Sequence, residues 1–368
     1  MRVVLAPDSF KGTATAAEAA AALREGWLSV RPRDELLTRA MADGGEGTTA
    51  AVLAATPRAV VRRVPGCTGP DGRPVTGSYA LLPDGTALVE LAVTSGLPLM
   101  AAPAPLTATT RGTGQVIAAA LAAGARRLTV ALGGSASTDG GAGLLGALGL
   151  RLLDADGNRL PDGGHALTAA VRADRSGLLP PPPDGVRLLT DVTDPLLGPD
   201  GAAAVYGPQK GAGPQNVRAL EAGLRQLAAL LGGDPAAPGA GAAGGTAYGL
   251  AAAWGAVTTP GAAAVADLLH LDEALADADL VITGEGRFDA TSLRGKAAGE
   301  VLYRARRAGT PAAVVAGDSA VPAVLTLTRL AGSAEAACGR PLHWLRRAGA
   351  LLAARRWALA EHPLTSRR

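Results

Sequence analysis

Lysine is rare in this sequence, and every lysine lies beside a glycine. Of the 35 Lys and Arg residues only three are lysines, and they occur as Lys11-Gly12, Lys210-Gly211 and Gly295-Lys296. A lysine ammonium is a compact charge on a thin stem, so it reaches a single phosphate oxygen in a narrow loop where a planar guanidinium does not fit. We expect Lys11, Lys210 and Lys296 to bind anions; the alternative is a compositional bias against lysine.

Glycine-rich segments follow several predicted strands, at residues 43–48, 133–141 and 284–287. Glycine lets the backbone approach a phosphate closely, and the helix that follows aims free N–H groups at the anion. One such loop alone is typical of an ordinary strand-to-helix turn, whereas several together indicate a polyphosphate ligand. The candidate ligand-binding residues are therefore Gly133, Gly134, Ser135, Gly284 and Gly286.

Acidic residues at predicted strand ends form the third group: Asp8, Asp43, Asp139, Asp191, Asp194, Glu285 and Asp289. Phosphoryl transfer needs one carboxylate to orient or deprotonate an acceptor hydroxyl and others to hold Mg²⁺. Taken singly, each of these residues is more often a cap or a turn former. As a set they favour kinase chemistry with Mg²⁺.

Other nucleotide-binding and hydrolytic motifs are absent or lack their structural context. No P-loop and no GxSxG elbow occurs, and the histidines have no metal-ligand spacing. The GxGxxG match at 239–244 follows Asp234-Pro235 instead of a strand, so it is interpreted as a packing device. Gly284-Glu285-Gly286 does follow a strand, but Asp289 stands where a third glycine belongs, which weakens a dehydrogenase hypothesis.

Short apolar runs alternate with Ala-rich stretches, a pattern typical of an α/β protein with a largely parallel sheet. A helix is predicted from Thr15, which has capping-box spacing to Glu18, to about Ser29. Three further strands joined by turns between 60 and 92 predict an antiparallel module. The buried-strand candidates lie at 2–6, 35–41, 128–132, 186–189, 280–283 and 312–316.

The chain has 368 residues with 48% hydrophobic, 18% charged and 3% aromatic residues, enough for two or three domains with aliphatic cores. With a net charge of +3 and few aromatic side chains to stack bases, nucleic-acid binding is disfavoured. The uncharged run at 236–266 is too rich in glycine to cross a membrane. Two distant cysteines and no secretory signal predict a cytoplasmic protein.

Six motifs, taken together, resemble the bacterial type I glycerate kinases, which use ATP to phosphorylate D-glycerate. They run in the family's order over almost the whole chain, at 6–12, 41–48, 133–143, 191–198, 207–212 and 283–289 with Gly295-Lys296. The chain departs from the family pattern at Asp194, where Asn is usual, at Leu197, where Cys is common, and at Ser137-Thr138, where Thr-Asn is usual. These departures bear on substrate preference more than on reaction type.

The resemblance implies two α/β domains with the active site in a cleft between them. One is Rossmann-like, with a parallel sheet built from both chain ends; we place it at 1–58 and 276–368, and a second, mixed α/β domain at 59–275. The implied substrates are ATP and D-glycerate, with the 2-hydroxyl favoured over the 3-hydroxyl. A homodimer is compatible with the sequence, which leaves the oligomeric state open.

Residue chemistry and loop position give each candidate a role. Lys11 and the Gly134-Ser135 backbone would bind phosphate, and Asp191 would orient or deprotonate the acceptor hydroxyl, with Asp8 as the next candidate base. The remaining assignments are Glu285 and Asp289 for metal or nucleotide, Lys210 and Arg287 for the glycerate carboxylate or the transferred phosphate, Asp43 for substrate and Lys296 for nucleotide. The alternatives are an NAD(P)-dependent hydroxy-acid dehydrogenase and a non-catalytic nucleotide or sugar-phosphate-binding protein.

Overall fold

The computed structural model describes residues 1–293 and 295–355. Its strands are β1 Arg2–Pro7, β2 Glu35–Thr38, β3 Val60–Thr68, β4 Pro74–Leu81, β5 Thr86–Glu90, β6 Arg127–Ala131, β7 Arg151–Leu153, β8 Arg172–Asp174, β9 Val186–Leu189, β10 Val257–Thr259, β11 Leu280–Phe288, β12 Ala312–Ser319 and β13 Leu325–Thr326.

Its helices are α1 Ala16–Val30, α2 Thr48–Ala55, α3 Ala92–Ser95, α4 Arg111–Ala122, α5 Ala142–Ala147, α6 Ala202–Tyr206, α7 Pro214–Leu231, α8 Ala242–Trp254, α9 Gly261–Leu268, α10 Leu271–Ala276, α11 Ala297–Ala308, α12 Leu327–Ala331, α13 Ala334–Gly339 and α14 Pro341–Ala354. Within these ranges no helix is both long and apolar enough to cross a membrane.

The chain forms two compact units. Of the described residues, unit 1 contains 1–43, 50–57, 260–293 and 295–355, and unit 2 contains 44–49 and 58–259. The sequence predicts that the chain returns to the first domain at residue 276. In the structure α9 and α10 already belong with unit 1, because both pack on α11. There the buried guanidinium of Arg304 binds Asp267 at 2.7 Å and Asp272 at 3.1 Å.

Unit 1 is built on a five-stranded parallel sheet in the order β13-β12-β11-β1-β2. Strand β1 lies between β2 and β11, and its apolar side chains are fully buried, as expected of a central parallel strand. Helices α1 and α14 contribute Leu23, Trp27 and Leu345 to the same core. A parallel-sheet domain made from both ends of the chain is therefore confirmed.

Helix α1 begins as its sequence predicts. Thr15 is the N-cap, its hydroxyl accepts from the Glu18 N–H, and the Glu18 carboxylate accepts from the Thr15 N–H at 2.9 Å. This reciprocal pair satisfies two N–H groups that the first turn would otherwise leave unbonded. It fixes where the chain leaves the loop after β1, the loop that carries Lys11.

Unit 2 is built on a mixed sheet in the order β10-β9-β6-β5-β4-β3. Strands β5, β6, β9 and β10 are parallel, whereas β3 and β4 are antiparallel. Gly72 and Gly85 adopt positive φ in the two turns of the antiparallel module, a conformation that favours glycine. The mixed α/β fold predicted for this part of the chain is confirmed.

Two predicted elements differ in extent. Strand β2 ends at Thr38 and not at 41, although the N–H groups of Arg39 and Met41 still donate to the carbonyls of Leu5 and Pro7. Strand β11 continues past 283 to Phe288 because it keeps pairing with β12 as far as Ser319. The longer strand carries the 284–287 loop residues within the sheet.

The GxGxxG match at 239–244 follows no strand and leads into α8, where Ala243, Gly244 and Gly245 all have positive φ. A Cβ on Gly244 would lie 2.1 Å from the carbonyl oxygen of Ser137, so only glycine fits there. The segment packs against the 133–141 loop, which agrees with the interpretation that its glycines serve close packing.

Candidate active site

A cavity of about 340 Å³ in unit 1 lies where β1 and β11 end. The Asp8 N–H donates to the Gly284 carbonyl at 2.8 Å, which fixes the start of the loop that carries Lys11. Charged side chains of the lining come from three places: Asp8 and Lys11 follow β1, Asp43 follows β2, and Glu285, Arg287 and Lys296 lie on or after β11. Carboxyl ends of parallel strands are where α/β proteins bind ligands.

The carboxylates of this cavity interact strongly. The pKa of Asp8 is raised to about 7, by burial first and then by the negative charges of Asp43 and Glu285. Two contacts act in the opposite direction and lower it: the Ser9 N–H, which donates to Asp8 at 2.6 Å, and the charge of Lys11. Burial also raises the pKa of Glu285. A carboxylate with a pKa near neutrality is suited to accept a proton from a substrate hydroxyl.

The residues present fit a magnesium ion brought by a nucleotide. Within residues 1–293 and 295–355, no three His, Cys, Asp or Glu side chains form a group that could hold a metal. Mg²⁺ does not need such a group, since it is commonly held by one or two carboxylates plus phosphate oxygens. Glu285 Oε1 is buried without a hydrogen-bond partner, so it can supply one such ligand.

Asp289 does not line the unit 1 cavity. Its Oδ1 accepts from the Thr291 N–H at 2.8 Å and from the Thr291 hydroxyl at 2.6 Å, so it closes a turn. Lys296, the N-cap of α11, donates to the Thr291 hydroxyl at 3.3 Å. Arg287 is largely exposed, with Nε 3.8 Å from Asp289 Oδ2.

The two glycines of this loop differ in what surrounds them. A Cβ on Gly284 would lie 1.9 Å from the Val315 carbonyl oxygen of the neighbouring strand, so Gly284 permits close packing within the sheet. Gly286 lines the cavity, and its Cα faces the backbone of Phe10 and Lys11. The structure brings Gly286, and not Gly284, to the cavity surface.

A second cavity, of about 630 Å³, lies in unit 2. Gly133, Gly134 and Ser135 line it just after β6, and Gly134 adopts positive φ. A Cβ on Gly133 would lie 2.4 Å from the Cα of Gly45, so two glycine-rich segments meet there. Apolar side chains complete the wall: Val93, Leu97, Pro98, Leu99, Leu132 and Val192.

Lys210 is the buried cation of the unit 2 cavity, with only 3% of its surface exposed. Its ammonium donates to Ser135 Oγ at 2.8 Å and to the Ser137 carbonyl at 2.6 Å. Burial lowers the pKa of Lys210 to about 8, although the charge of Asp139 acts in the opposite direction. A buried ammonium has a third N–H, so the group is suited to bind an anion in this cavity.

Asp191, Asp43 and Lys11 occupy different environments. Asp191 is exposed and follows β9, between Thr190 and Val192, which line the unit 2 cavity; Asp191 itself is not part of the lining. Asp43 and Lys11 line the unit 1 cavity. The predicted site residues thus divide into two groups, one in each unit.

Sequence reasoning missed Glu90 and Tyr206, both of which line the unit 2 cavity. Glu90 accepts from the N–H groups of Gly47 at 2.8 Å and Thr49 at 3.1 Å, so it holds the 44–49 loop. Tyr206 donates to Asp194 Oδ2 at 2.5 Å, and burial together with that carboxylate raises the pKa of Tyr206. A signal for both was available, because Glu90 ends a strand and Tyr206 directly precedes the 207–212 motif.

Comparison with known proteins decides between the possible chemistries of these residues. The model of the glycerate kinase family matches residues 3–350. The chain belongs to the glycerate kinase family. It is 42% identical over 327 residues to glycerate 2-kinase of Escherichia coli K12, covering 86% of this chain and 85% of that protein.

Two further relatives agree with this assignment. Glycerate kinase of Bacillus subtilis 168 is 41% identical over 332 residues, covering 86% of this chain and 85% of that protein. A crystal structure from Salmonella typhimurium LT2, assigned as glycerate kinase 2, superposes with a TM-score of 0.83 at 39% identity and covers 96% of this chain and 97% of that one. The predicted family, the α/β fold and the enzyme class, a kinase, are confirmed.

Proposed function

We propose that this glycerate kinase family member transfers the γ-phosphoryl group of MgATP to the 2-hydroxyl of D-glycerate. The observation that carries the chemistry is the Asp8 carboxylate, whose pKa is about 7, in a cavity with Lys11 and Glu285. The name of the Escherichia coli relative, glycerate 2-kinase, supports the 2-hydroxyl as acceptor. Two unpaired cysteines, Cys67 and Cys338, support a cytoplasmic location.

Asp8 is proposed to orient the acceptor hydroxyl and to take its proton as the new P–O bond forms. Its raised pKa gives it the proton affinity that an ordinary exposed aspartate lacks. Asp191, the first candidate base from the sequence, is exposed after β9. Asp8 is therefore the stronger candidate for the general base, because burial and the neighbouring carboxylates raise its pKa. Asp191 is the residue with which Asp8 is to be compared by mutation.

Charge stabilisation is proposed to come from the cations and the glycine loops. Negative charge spreads over the phosphoryl oxygens in the transition state, so positioning and electrostatics supply most of the catalysis. Lys11 and Lys296 line the unit 1 cavity, and Lys210 with the 133–135 backbone lines the unit 2 cavity. Glu285 would hold Mg²⁺ together with nucleotide phosphates, and Mg²⁺ when bound neutralises phosphate charge.

Incubation with ATP, Mg²⁺ and D-glycerate tests this function. We expect ADP release that depends on glycerate, and phosphorus NMR of the product is expected to show 2-phosphoglycerate. Turnover that needs NAD(P) would support the dehydrogenase, and binding without product would support a non-catalytic nucleotide or sugar-phosphate-binding protein. A 3-phosphoglycerate product would refute the choice of hydroxyl while leaving the kinase activity in place.

A further inference from the structure

The carboxylate of Asp139 is fully buried and has four hydrogen-bond donors. Its Oδ2 accepts from the Thr110 N–H at 3.0 Å, the Thr110 hydroxyl at 2.8 Å and the Gly143 N–H at 3.2 Å, and its Oδ1 accepts from the Gly141 N–H at 3.1 Å. Burial raises the pKa of Asp139, and the hydrogen bonds from Thr110, Gly143 and Gly141 act in the opposite direction, so the ionised carboxylate depends on these donors. Asp139 thereby joins the start of α4 to the start of α5.

Asp139 lies in the same loop as both acceptors of Lys210. Ser135 and Ser137, which accept from the Lys210 ammonium, come a few residues before Asp139 in the 133–143 segment. Asp139 itself does not line the unit 2 cavity, so it is not placed to touch a ligand there. Its effect on the site must pass through the loop and through its charge.

The charges around Lys210 point to Asp139 as its counter-charge. The other ionisable side chains that line the cavity are Glu46, Glu90 and Tyr206. Burial lowers the pKa of Lys210. Among the charged groups of the described residues, it is Asp139 whose charge raises that pKa. The cation next to Asp139, Arg111, is paired with Asp162 by two hydrogen bonds of 2.5 Å.

We propose that Asp139 is a positioning residue that keeps Lys210 charged and holds the loop whose Ser135 and Ser137 receive its ammonium. Asp139 supplies the negative charge that a buried cation requires, while the two hydrogen bonds of the ammonium go to Ser135 and Ser137, so its third N–H is left for a ligand anion. A directly paired carboxylate would occupy that N–H and repel the anion. This proposal rests on the proposed function and extends it, because it names the residue that keeps the anion-binding Lys210 charged.

The rarity of lysine makes a direct test feasible. With ¹³Cε-labelled lysine the intact protein gives three lysine signals, and Lys210→Met identifies the one from Lys210. In the wild type we expect its titration midpoint near 8. In Asp139→Asn it should move down by about one pH unit or more, because an uncompensated buried cation is harder to keep protonated.

Asp162→Asn is the matched control. It removes a carboxylate from the same region and breaks the pair with Arg111, but Asp162 is not a counter-charge of Lys210. It should lower the melting temperature without moving the midpoint of Lys210. An unmoved midpoint in Asp139→Asn would overturn the proposal.

Thr110→Val is the second variant if Asp139→Asn fails to fold. It removes one donor from the Asp139 carboxylate, so the midpoint should move in the same direction by less, and an unmoved midpoint counts against the proposal. The alkaline limb of the kcat/KM profile with ATP and glycerate should follow the NMR midpoint. The NMR titration needs no turnover, so a failure of the proposed function and a failure of this proposal give different results.

Discussion

At the scale of single residues, Asp8 combines its proposed catalytic role with a cost in stability. Its pKa is about 7 in the fold and 3.8 ordinarily, so the folded protein binds a proton there more tightly than the unfolded chain. Between pH 4 and 7 the folded state carries more protons than the unfolded state, and stability falls as the pH rises through this window. Above pH 7 the ionised Asp8 is a full destabilising charge.

Asp8→Asn is therefore expected to raise the melting temperature at pH 8 and to change it little at pH 3, where Asp8 is largely protonated in both states. The same variant should lose about 10²-fold or more in kcat, because general-base catalysis contributes roughly this much. Thermal unfolding at both pH values and steady-state kinetics measure the two effects. Asp191→Asn, tested in parallel, should keep most of its kcat; the reverse ranking of the two variants would make Asp191 the base.

The sequence identified residues whose chemistry is visible from type and neighbours, and missed those defined by distant contacts. Lys11, Asp8 and Lys210 stand out because they follow a strand or lie beside glycine in short motifs. The strand-end position of Glu90 was visible in the sequence, but its role was not, because its partners Gly47 and Thr49 lie more than 40 positions earlier in the chain. The turn-forming role of Asp289 likewise depends on the fold of the loop after β11.

At the scale of elements, the alternation of apolar runs and helices was enough to predict both sheets. The compact units divide at Pro260, whereas the sequence places the boundary at 276, and the attachment of α9 and α10 depends on Arg304, which comes later in the chain. Short strands such as β7, β8 and β10 were missed because three residues give no periodicity to read. The position of the boundary between the units and the short strands therefore depend on long-range packing, which the sequence pattern does not show.

The 133–141 loop gives a prediction at this scale. Gly133→Ala would place a methyl group 2.4 Å from the Cα of Gly45, so one of two glycine-rich loops must move. We expect a loss of about 1–3 kcal/mol in the free energy of unfolding, typical of an overpacked site, and weaker nucleotide binding. Gly339→Ala is the control, because a Cβ there meets no atom within 4 Å. Equal urea midpoints for the two variants would contradict the prediction.

At the scale of the whole molecule, each unit contributes one titrating group. Asp8 must be ionised to accept a proton, and Lys210 must be charged to bind an anion, and their pKa values are about 7 and about 8. We therefore expect a bell-shaped dependence of kcat/KM on pH with a narrow maximum between these values. Steady-state kinetics with ATP and glycerate from pH 5.5 to 10 measures it.

Lys210→Arg provides the control for the alkaline limb. Arginine stays charged throughout this range, so whatever activity remains should not fall above pH 8. An alkaline limb that persists unchanged in Lys210→Arg would assign it to another group. Activity that stays level to pH 10 in the wild type would show that the reaction does not require a charged Lys210.

Strand β1 occupies the middle of the unit 1 sheet, and its partner β11 begins at Leu280. During synthesis on a ribosome, β1 and α1 emerge well before β11 and α14, which pack against them. At typical elongation rates of 5–20 residues per second, this apolar N-terminal segment waits roughly 15 to 60 seconds for its partners. Unit 2 lies wholly within the intervening stretch, so it is able to fold while the first strand is still waiting. The order in which the chain is made therefore exposes β1 to chaperones and aggregation until β11 has been synthesised.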